Sequence, residues 1–299
     1  MAATLSHHDG FYYGEHTGEF IEIQALRIHI TYAGEGDPVL LIHGAGQNSY
    51  TWRHQFEALA ERYFVVAVDM IGYGYSDKPD LTYTIEENSE FLLALLNTLR
   101  IKQTNIIAMG SGATYALDFM VHYPDRVHRA ICIAPGGVTD SMPLPLRLMQ
   151  SSTFGWLGKA LFSERKFNSM ISNCMFDQTC LSSQDLSIYY ETMDSKESRE
   201  VLRRSIANFQ EDDVLYNLRL LPHEVLFVWG SEDRWRPIAD AGLYTAPIEN
   251  YALYEMRNCG HLPHEEKPDK FNEKRLVFFA LRAGRLIPNP FPLRREFLL

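Results

Sequence analysis

Residues 105–119 read NIIAMGSGATYALDF, an apolar run that ends in small residues and passes into an amphipathic segment. This order predicts a strand that turns sharply into a helix and holds one side chain at the tip of the turn. Strand and helix pack closely there, so the positions two before and two after the tip must be small. The stretch therefore predicts an α/β fold whose chemistry is centred on the tip residue.

Two registers place different residues at that tip. In the first, Ala108 and Gly112 take the two small positions and Gly110 stands at the tip. In the second, Ser111 stands at the tip, and Met109 then occupies a position that needs a small side chain. The packing rule favours Gly110, and Ser111 remains the alternative.

Further short apolar runs alternate with helical patterns along the chain. The runs are PVLLI at 38–42, YFVVAVDM at 63–70, RAICIAPGG at 129–137 and EVLFVWG at 224–230. Short, continuously apolar strands separated by amphipathic helices are typical of a mostly parallel sheet with helices on both faces. The first forty residues alternate between apolar and polar side chains and predict additional strands at the start.

The pattern changes between residues 138 and 221, where the segments read as short helices without a strand-like run. We predict a helical cap at 138–221, inserted between two parts of one core domain, 1–137 and 222–299. Ligands bind outside the carboxyl ends of the strands in such sheets, which is where we expect the cap to lie. A last helix is predicted over 268–284, followed by a tail that packs on the body or on a partner.

Composition excludes several classes of protein. The formal net charge of −10 and the absence of a Lys/Arg run argue against nucleic-acid binding. No apolar run reaches the roughly 18 residues of a membrane span, and the N-terminus does not resemble a secretory signal. The four Cys form no CxxC pair, which favours reduced thiols and a cytoplasmic location. No phosphate loop, dinucleotide fingerprint or metal-ligand cluster occurs, so we expect no cofactor.

Four motifs fall at predicted strand ends. HGAGQ covers 43–47, DMIGYGYSDKP covers 69–79, WGSEDRWRP contains Asp233, and GHLPHEEKP contains His261. Together with YPDRV at 123–127, these motifs resemble the α/β-hydrolase superfamily over nearly the whole chain. The likeness is greatest to its capped branch, which includes meta-cleavage C–C hydrolases and epoxide-hydrolase-like proteins. The resemblance implies an eight-stranded, mostly parallel sheet, and its spacing upstream of YPDRV again places the nucleophile position at Gly110.

The resemblance also implies roles for the motif residues, because the family orders nucleophile, acid and base along the chain. Asp233 is then the acid that orients the base, and His261 is the base. The backbone N–H groups of Ala45 and Ser111 are the expected oxyanion donors. Substrate contacts are expected from Gly44, Gly46 and Trp235.

Three further assignments are structural. Asp69 takes the position of an Asp that organises its loop in the family, and His43 is expected to shape the oxyanion turn. His264, Glu265 and Glu266 are assigned to the surface or to helix capping.

Glycine at the nucleophile position departs from the family pattern and leaves four hypotheses. An enzyme with a His261–Asp233 dyad could activate water or deprotonate its substrate without a protein nucleophile. An ordinary serine hydrolase could use Ser111 instead. The chain could also be a non-catalytic ligand receptor, or a Ser→Gly variant of a serine hydrolase. For the dyad enzyme we expect general-base hydrolysis or lyase-type C–C cleavage of a small apolar or aromatic ester, lactone or carbonyl compound. A homodimer is possible.

Overall fold

The computed structural model describes residues 12–13, 16–151 and 153–280. Its strands are β1 Tyr12–Tyr13, β2 His16–Thr17, β3 Glu19–Ile23, β4 Leu26–Ala33, β5 Pro38–Ile42, β6 Phe64–Val68, β7 Thr104–Met109, β8 Val127–Ile133, β9 Val225–Gly230 and β10 Tyr251–Met256. The short strands β1 and β2 pair with each other, and the other eight form one sheet.

The described helices flank this sheet. They are α1 Phe56–Ala60, α2 Ile85–Thr98, α3 Gly110–His122, α4 Leu144–Met149, α5 Gly155–Ala160, α6 Glu164–Asn173, α7 Ser183–Glu191, α8 Lys196–Ala207, α9 Asp212–Asn217, α10 Ala241–Thr245, α11 Pro263–Glu266 and α12 Pro268–Ala280. Single 3₁₀ turns occur at Ser49–Trp52, Pro124–Arg126, Leu218–Leu220 and Ile238–Asp240. The predicted tail lies outside the described residues, as does the end of the predicted last helix beyond Ala280.

The eight-stranded sheet has the order β10-β9-β8-β7-β5-β6-β4-β3. The pairs β3/β4 and β4/β6 are antiparallel, and the remaining neighbours are parallel. Every residue of β7 and β9 is buried, as expected for parallel strands covered on both faces. The predicted fold class, a mostly parallel eight-stranded sheet with helices on both faces, is confirmed.

The connections reverse direction at the centre of this sheet. The chain runs from β5 to β6 on one side and then crosses to β7 on the other side of β5. A crevice opens outside the carboxyl ends of strands at such a reversal, and ligands bind there. The sequence that follows β5 is HGAGQ and the residue that follows β7 is Gly110, so both motifs meet in the crevice.

Helices α4–α9 and the turn at 218–220 lie between β8 and β9, within the stretch predicted as a cap. Buried apolar side chains of these helices, including Met149, Phe167 and Leu202, belong to the same cluster as Leu41 and Ile107 of the sheet. The helices therefore pack on the sheet domain through a continuous apolar core. The division of the chain into core and cap remains the prediction made above.

None of the described helices is long and apolar enough to cross a membrane.

Candidate active site

The turn between β7 and α3 has Gly110 at its tip. Gly110 has φ +54°, a left-handed conformation that glycine adopts without the steric cost of a side chain. Two residues on, a Cβ added to Gly112 would lie 2.2 Å from the carbonyl oxygen of His43, so only glycine fits there. Both features match the register with Gly110 at the tip, and Ser111 lies inside the first turn of α3.

Asp233 and His261 come together beside this tip. Asp233 follows β9, and its Oδ2 lies 2.7 Å from His261 Nδ1. The other carboxylate oxygen, Oδ1, accepts hydrogen bonds from the backbone N–H groups of Trp235 and Arg236, each at 2.9 Å. With Nδ1–H donating to the carboxylate, Nε2 is left as the basic nitrogen of the neutral ring.

The basic nitrogen of His261 faces the tip of the turn. A Cβ built on Gly110 would lie 3.9 Å from His261 Nε2 and 3.8 Å from the Cα of Gly44. Apart from its chain neighbours and the backbone of α3, no other heavy atom of the described residues lies within 4 Å. Both are ordinary van der Waals distances, so the site has room for a side chain that this sequence does not supply. His261 Nε2 is therefore within reach of a side-chain oxygen that a residue at position 110 could carry.

The HGAGQ turn presents its backbone donors to the same crevice. The Ala45 N–H donates to Ser111 Oγ at 2.8 Å, so the Ser111 hydroxyl is directed to the oxyanion turn. The Met70 N–H donates to His43 Nε2 at 3.0 Å, and His43 Nδ1 lies 2.8 Å from the carbonyl oxygen of Gly44. Burial lowers the pKa of His43, which stays neutral and shapes the turn.

The cavity above the turn is mostly apolar. It is lined by Gly44, Ala45, Gln47, Met109, Gly110, Ser111, Tyr115, Gly136, Gly137, Val138, Met142, Leu146, Ile171, Cys174, Leu202, Ser205, Ile206, Phe209, Trp235, His261 and Leu262. Of the predicted substrate contacts, Gly44 and Trp235 line this cavity and Gly46 does not. Trp235 lies against His261, with 5.6 Å between the ring centroids.

Asp69 organises the adjacent loop from a fully buried position. Its carboxylate accepts hydrogen bonds from the backbone N–H groups of Ser49 and Tyr75, at 2.7 and 2.9 Å, and pairs with His29 Nδ1 at 2.9 Å. Burial alone would raise the pKa of Asp69, but His29 and the Tyr75 N–H hold it well below its usual range. These contacts agree with the loop-organising role that the family resemblance implies for Asp69.

The assignment of His264 and Glu265 to the surface was wrong, because both side chains are buried. Glu265 Oε1 accepts hydrogen bonds from the hydroxyls of Thr51 and Tyr189, and Oε2 accepts one from Arg53 Nη1 at 2.6 Å. Tyr189 belongs to α7 of the predicted cap, and Arg53 also pairs with Asp185 of α7. No signal in the motif distinguishes this buried, cap-anchoring carboxylate from an exposed one.

The loop that carries His261 is also bonded to the cap stretch. The His261 N–H donates to the carbonyl oxygen of Cys174 at 2.7 Å. The Glu266 carboxylate accepts hydrogen bonds from the backbone N–H groups of Phe176, Asp177 and Gly260. Glu266 therefore connects the backbone at Gly260 to the backbone at residues 176–177 of the predicted cap. This contact goes beyond the helix-capping role that was predicted for it.

The His264 ring should make stability depend on pH. Thr51 Oγ1 donates to Glu265, so His264 Nε2–H donates to Thr51 at 2.8 Å, and Nδ1 has no partner among the described residues. Burial lowers the pKa of His264 to about 4, although Glu265 raises it. Unfolded histidine has a pKa of about 6.5, so between these values only the unfolded chain binds the proton. We expect the free energy of unfolding to fall as pH is lowered from about 6.5 to 4.

Urea unfolding at several pH values measures this dependence. His264→Gln should show a smaller loss of stability over that window, whereas His122→Gln, at a half-exposed position, should behave like the parent chain. Equal slopes for His264→Gln and the parent would contradict the assignment.

The fold and these contacts agree with the comparisons to known proteins. The family model for the alpha/beta hydrolase fold matches residues 37–268, so the chain belongs to that family.

Its relatives include a 2-hydroxy-6-oxo-6-phenylhexa-2,4-dienoate hydrolase of Comamonas testosteroni, 27% identical over 87% of this chain and 94% of that protein. A solved meta-cleavage product hydrolase from Pseudomonas fluorescens, 23% identical, superimposes with a TM-score of 0.75 over 88% of this chain and 97% of that one. The epoxide hydrolase CorEH superimposes with a TM-score of 0.75 at 25% identity, over 89% and 99% of the two chains. These relationships confirm the predicted class, an enzyme of the α/β-hydrolase family.

Proposed function

We propose that this enzyme acts on a small apolar or aromatic ester, lactone or carbonyl compound, with the His261–Asp233 dyad as its base and without a serine nucleophile. One observation carries the proposal. Gly110 occupies the tip that His261 Nε2 faces, while the Ser111 hydroxyl accepts a hydrogen bond from Ala45 N–H. The base is thus paired with a position that has no attacking side chain.

In hydrolysis, His261 Nε2 takes a proton from a water molecule at the Gly110 position, and the resulting oxygen attacks the substrate carbonyl carbon. The developing oxyanion is stabilised by the N–H groups of Ala45 and Ser111, with the carbonyl oxygen taking over the Ala45 donor from Ser111 Oγ. His261 then gives its proton to the leaving group, and Asp233 stabilises the charged imidazolium in between.

The same groups serve cleavage of a C–C bond next to a carbonyl. The relationship to the 2-hydroxy-6-oxo-6-phenylhexa-2,4-dienoate hydrolase of Comamonas testosteroni favours this variant. There the leaving group is a carbon atom, and the proton that His261 returns is delivered to that carbon. Both variants need the base and the oxyanion donors, and neither needs a covalent intermediate.

A serine-directed fluorophosphonate tests the proposal. The parent chain is assayed on a panel of aryl esters, lactones and aryl ketones, with and without prior treatment. We expect turnover of at least one compound at an unchanged rate after treatment, because none of the described residues pairs a nucleophilic oxygen with His261.

Inactivation with the label mapped to Ser111 would instead support an ordinary serine hydrolase. Absence of turnover across the panel, with ligand binding intact, would support a receptor.

A further inference from the structure

Arg236 carries a buried guanidinium close to the acid of the dyad. The residue is 5% exposed, and its backbone N–H donates to Asp233 Oδ1 at 2.9 Å. Its carbonyl oxygen accepts a hydrogen bond from Trp229 Nε1 at 2.6 Å. The backbone of Arg236 therefore belongs to the frame that surrounds the Asp233 carboxylate, and the contacts of its side chain act on that frame.

The guanidinium is held by Glu211, the residue before α9 in the predicted cap. Arg236 Nη2 donates to Glu211 Oε1 at 3.0 Å and to the hydroxyl oxygen of Tyr244 at 3.1 Å. The Tyr244 hydroxyl donates in turn to Glu211 Oε2 at 2.5 Å. Asp240 Oδ2 lies 3.5 Å from Arg236 Nε. A buried cation is costly unless it is paired, so these partners fix where the guanidinium lies.

The chain between β8 and α4 lies against the same loop. A Cβ added to Gly136 would lie 2.4 Å from Arg236 Cζ, so the guanidinium packs directly on the Gly136 backbone. The Gly136 N–H donates to the carbonyl oxygen of Gly110 at 3.3 Å. Thr139 Oγ1 donates to the carbonyl oxygen of Trp235 at 2.6 Å. The guanidinium is thus packed on a backbone segment that is itself bonded to the tip of the β7–α3 turn.

We propose that Arg236 is a positioning residue, which fixes the Asp233 carboxylate relative to His261 and the Gly110 tip through its ion pair with Glu211. Arg236 is not among the residues that line the cavity, so it acts through Asp233 and not on the ligand. Because Glu211 precedes α9, the position of the acid depends on how this part of the cap stretch is seated. The consequence for reactivity rests on the function proposed above.

Proton NMR of protein with ¹⁵N-labelled histidine tests the inference without a substrate. A proton in a short hydrogen bond between a buried imidazole and a carboxylate gives a separate signal far downfield. His261 with Asp233, at 2.7 Å, and His29 with Asp69, at 2.9 Å, are both pairs of this kind. We expect Glu211→Gln to shift or broaden the His261 signal and to leave the His29 signal unchanged. Loss of one signal in His261→Gln assigns it.

The rate of fluorophosphonate labelling in a Gly110→Ser background measures the effect on reactivity. Glu211→Gln and Arg236→Met, each added to Gly110→Ser, should slow labelling by about 10-fold or more, since small displacements of catalytic groups are costly. The double change Arg236→Met/Glu211→Gln leaves neither charge unpaired and serves where a single variant does not fold. It should alter the His261 signal and slow labelling about as much as Arg236→Met alone, because both changes act on one ion pair.

Glu224→Gln is the matched control, because it breaks an ion pair with Arg129, 3.3 Å long, at the start of β9 and not at the end that carries the acid. It should change neither the His261 signal nor the labelling rate.

An unchanged His261 signal in folded Glu211→Gln or in the double variant would overturn the inference. Equal changes in the His29 and His261 signals would also overturn it, because they would indicate a general loss of packing. Failure of Gly110→Ser itself to react would count against the proposed function, and the His261 signal would still decide the role of Arg236.

Discussion

Gly110→Ser is expected to convert this chain into a protein that reacts with a serine-directed fluorophosphonate at residue 110. The new Cβ would lie 3.9 Å from His261 Nε2, close enough for the hydroxyl to hydrogen-bond to the base. Under the proposed function, the oxyanion accepts from the Ser111 N–H and from the Ala45 N–H, which it takes over from Ser111 Oγ. We therefore expect the change to complete a Ser-His-Asp arrangement. We expect labelling at least about 10³-fold faster than in the parent chain, measured by intact mass and peptide mapping.

Gly110→Ala is the matched control for the expected gain in fluorophosphonate labelling. It adds the same Cβ at φ +54° and lacks the hydroxyl, so it should stay unlabelled. Both variants should lose about 1–3 kcal/mol of stability, since a side chain is strained in the left-handed region. A Gly110→Ser protein that folds but does not react would show that the base or the oxyanion donors are not competent.

His261→Ala is expected to lower turnover of the substrate found for the parent chain by about 10²–10⁴-fold, the usual contribution of a positioned base. The same change in the Gly110→Ser background should abolish the gained labelling. Steady-state kinetics and the labelling rate measure the two effects, and the second needs no knowledge of the natural substrate.

Two controls separate loss of the base from loss of structure. The substrate found for the parent chain should bind His261→Ala about as tightly as it binds the parent chain, and added imidazole should restore part of the turnover. Unchanged turnover in His261→Ala would contradict the dyad, and parallel loss of binding and turnover would indicate that the variant is misfolded.

Much of this site could be predicted from the sequence because its residues follow directly after the ends of strands. Gly110 follows β7, and the HGAGQ turn follows β5, so strand order alone brings them together. The need for glycine at position 112 could be predicted from the packing of strand and helix, because the carbonyl oxygen of His43 leaves no room for a Cβ. Asp233 and His261 needed the family resemblance, since chain spacing does not fix the distance between two late loops.

Other features depend on contacts that one-dimensional patterns do not contain. From the sequence alone, Glu265 is predicted to be a charged surface residue. In the structure, Arg53, from a distant turn, and Tyr189, from the cap stretch, surround its carboxylate. The surroundings of this carboxylate are thus set by neighbours that lie far away in sequence.

Under the proposed function, the hydrogen bond from His261 N–H to the carbonyl oxygen of Cys174 ties the position of the base to the helices between β8 and β9. Glu266, which bonds both Gly260 and the backbone at 176–177, reinforces the same junction. Separation of the helices between β8 and β9 from this loop would break the backbone contacts that hold the His261 imidazole in place. Under the proposed function, this junction must therefore be closed during the chemical step, although a ligand can bind before it closes.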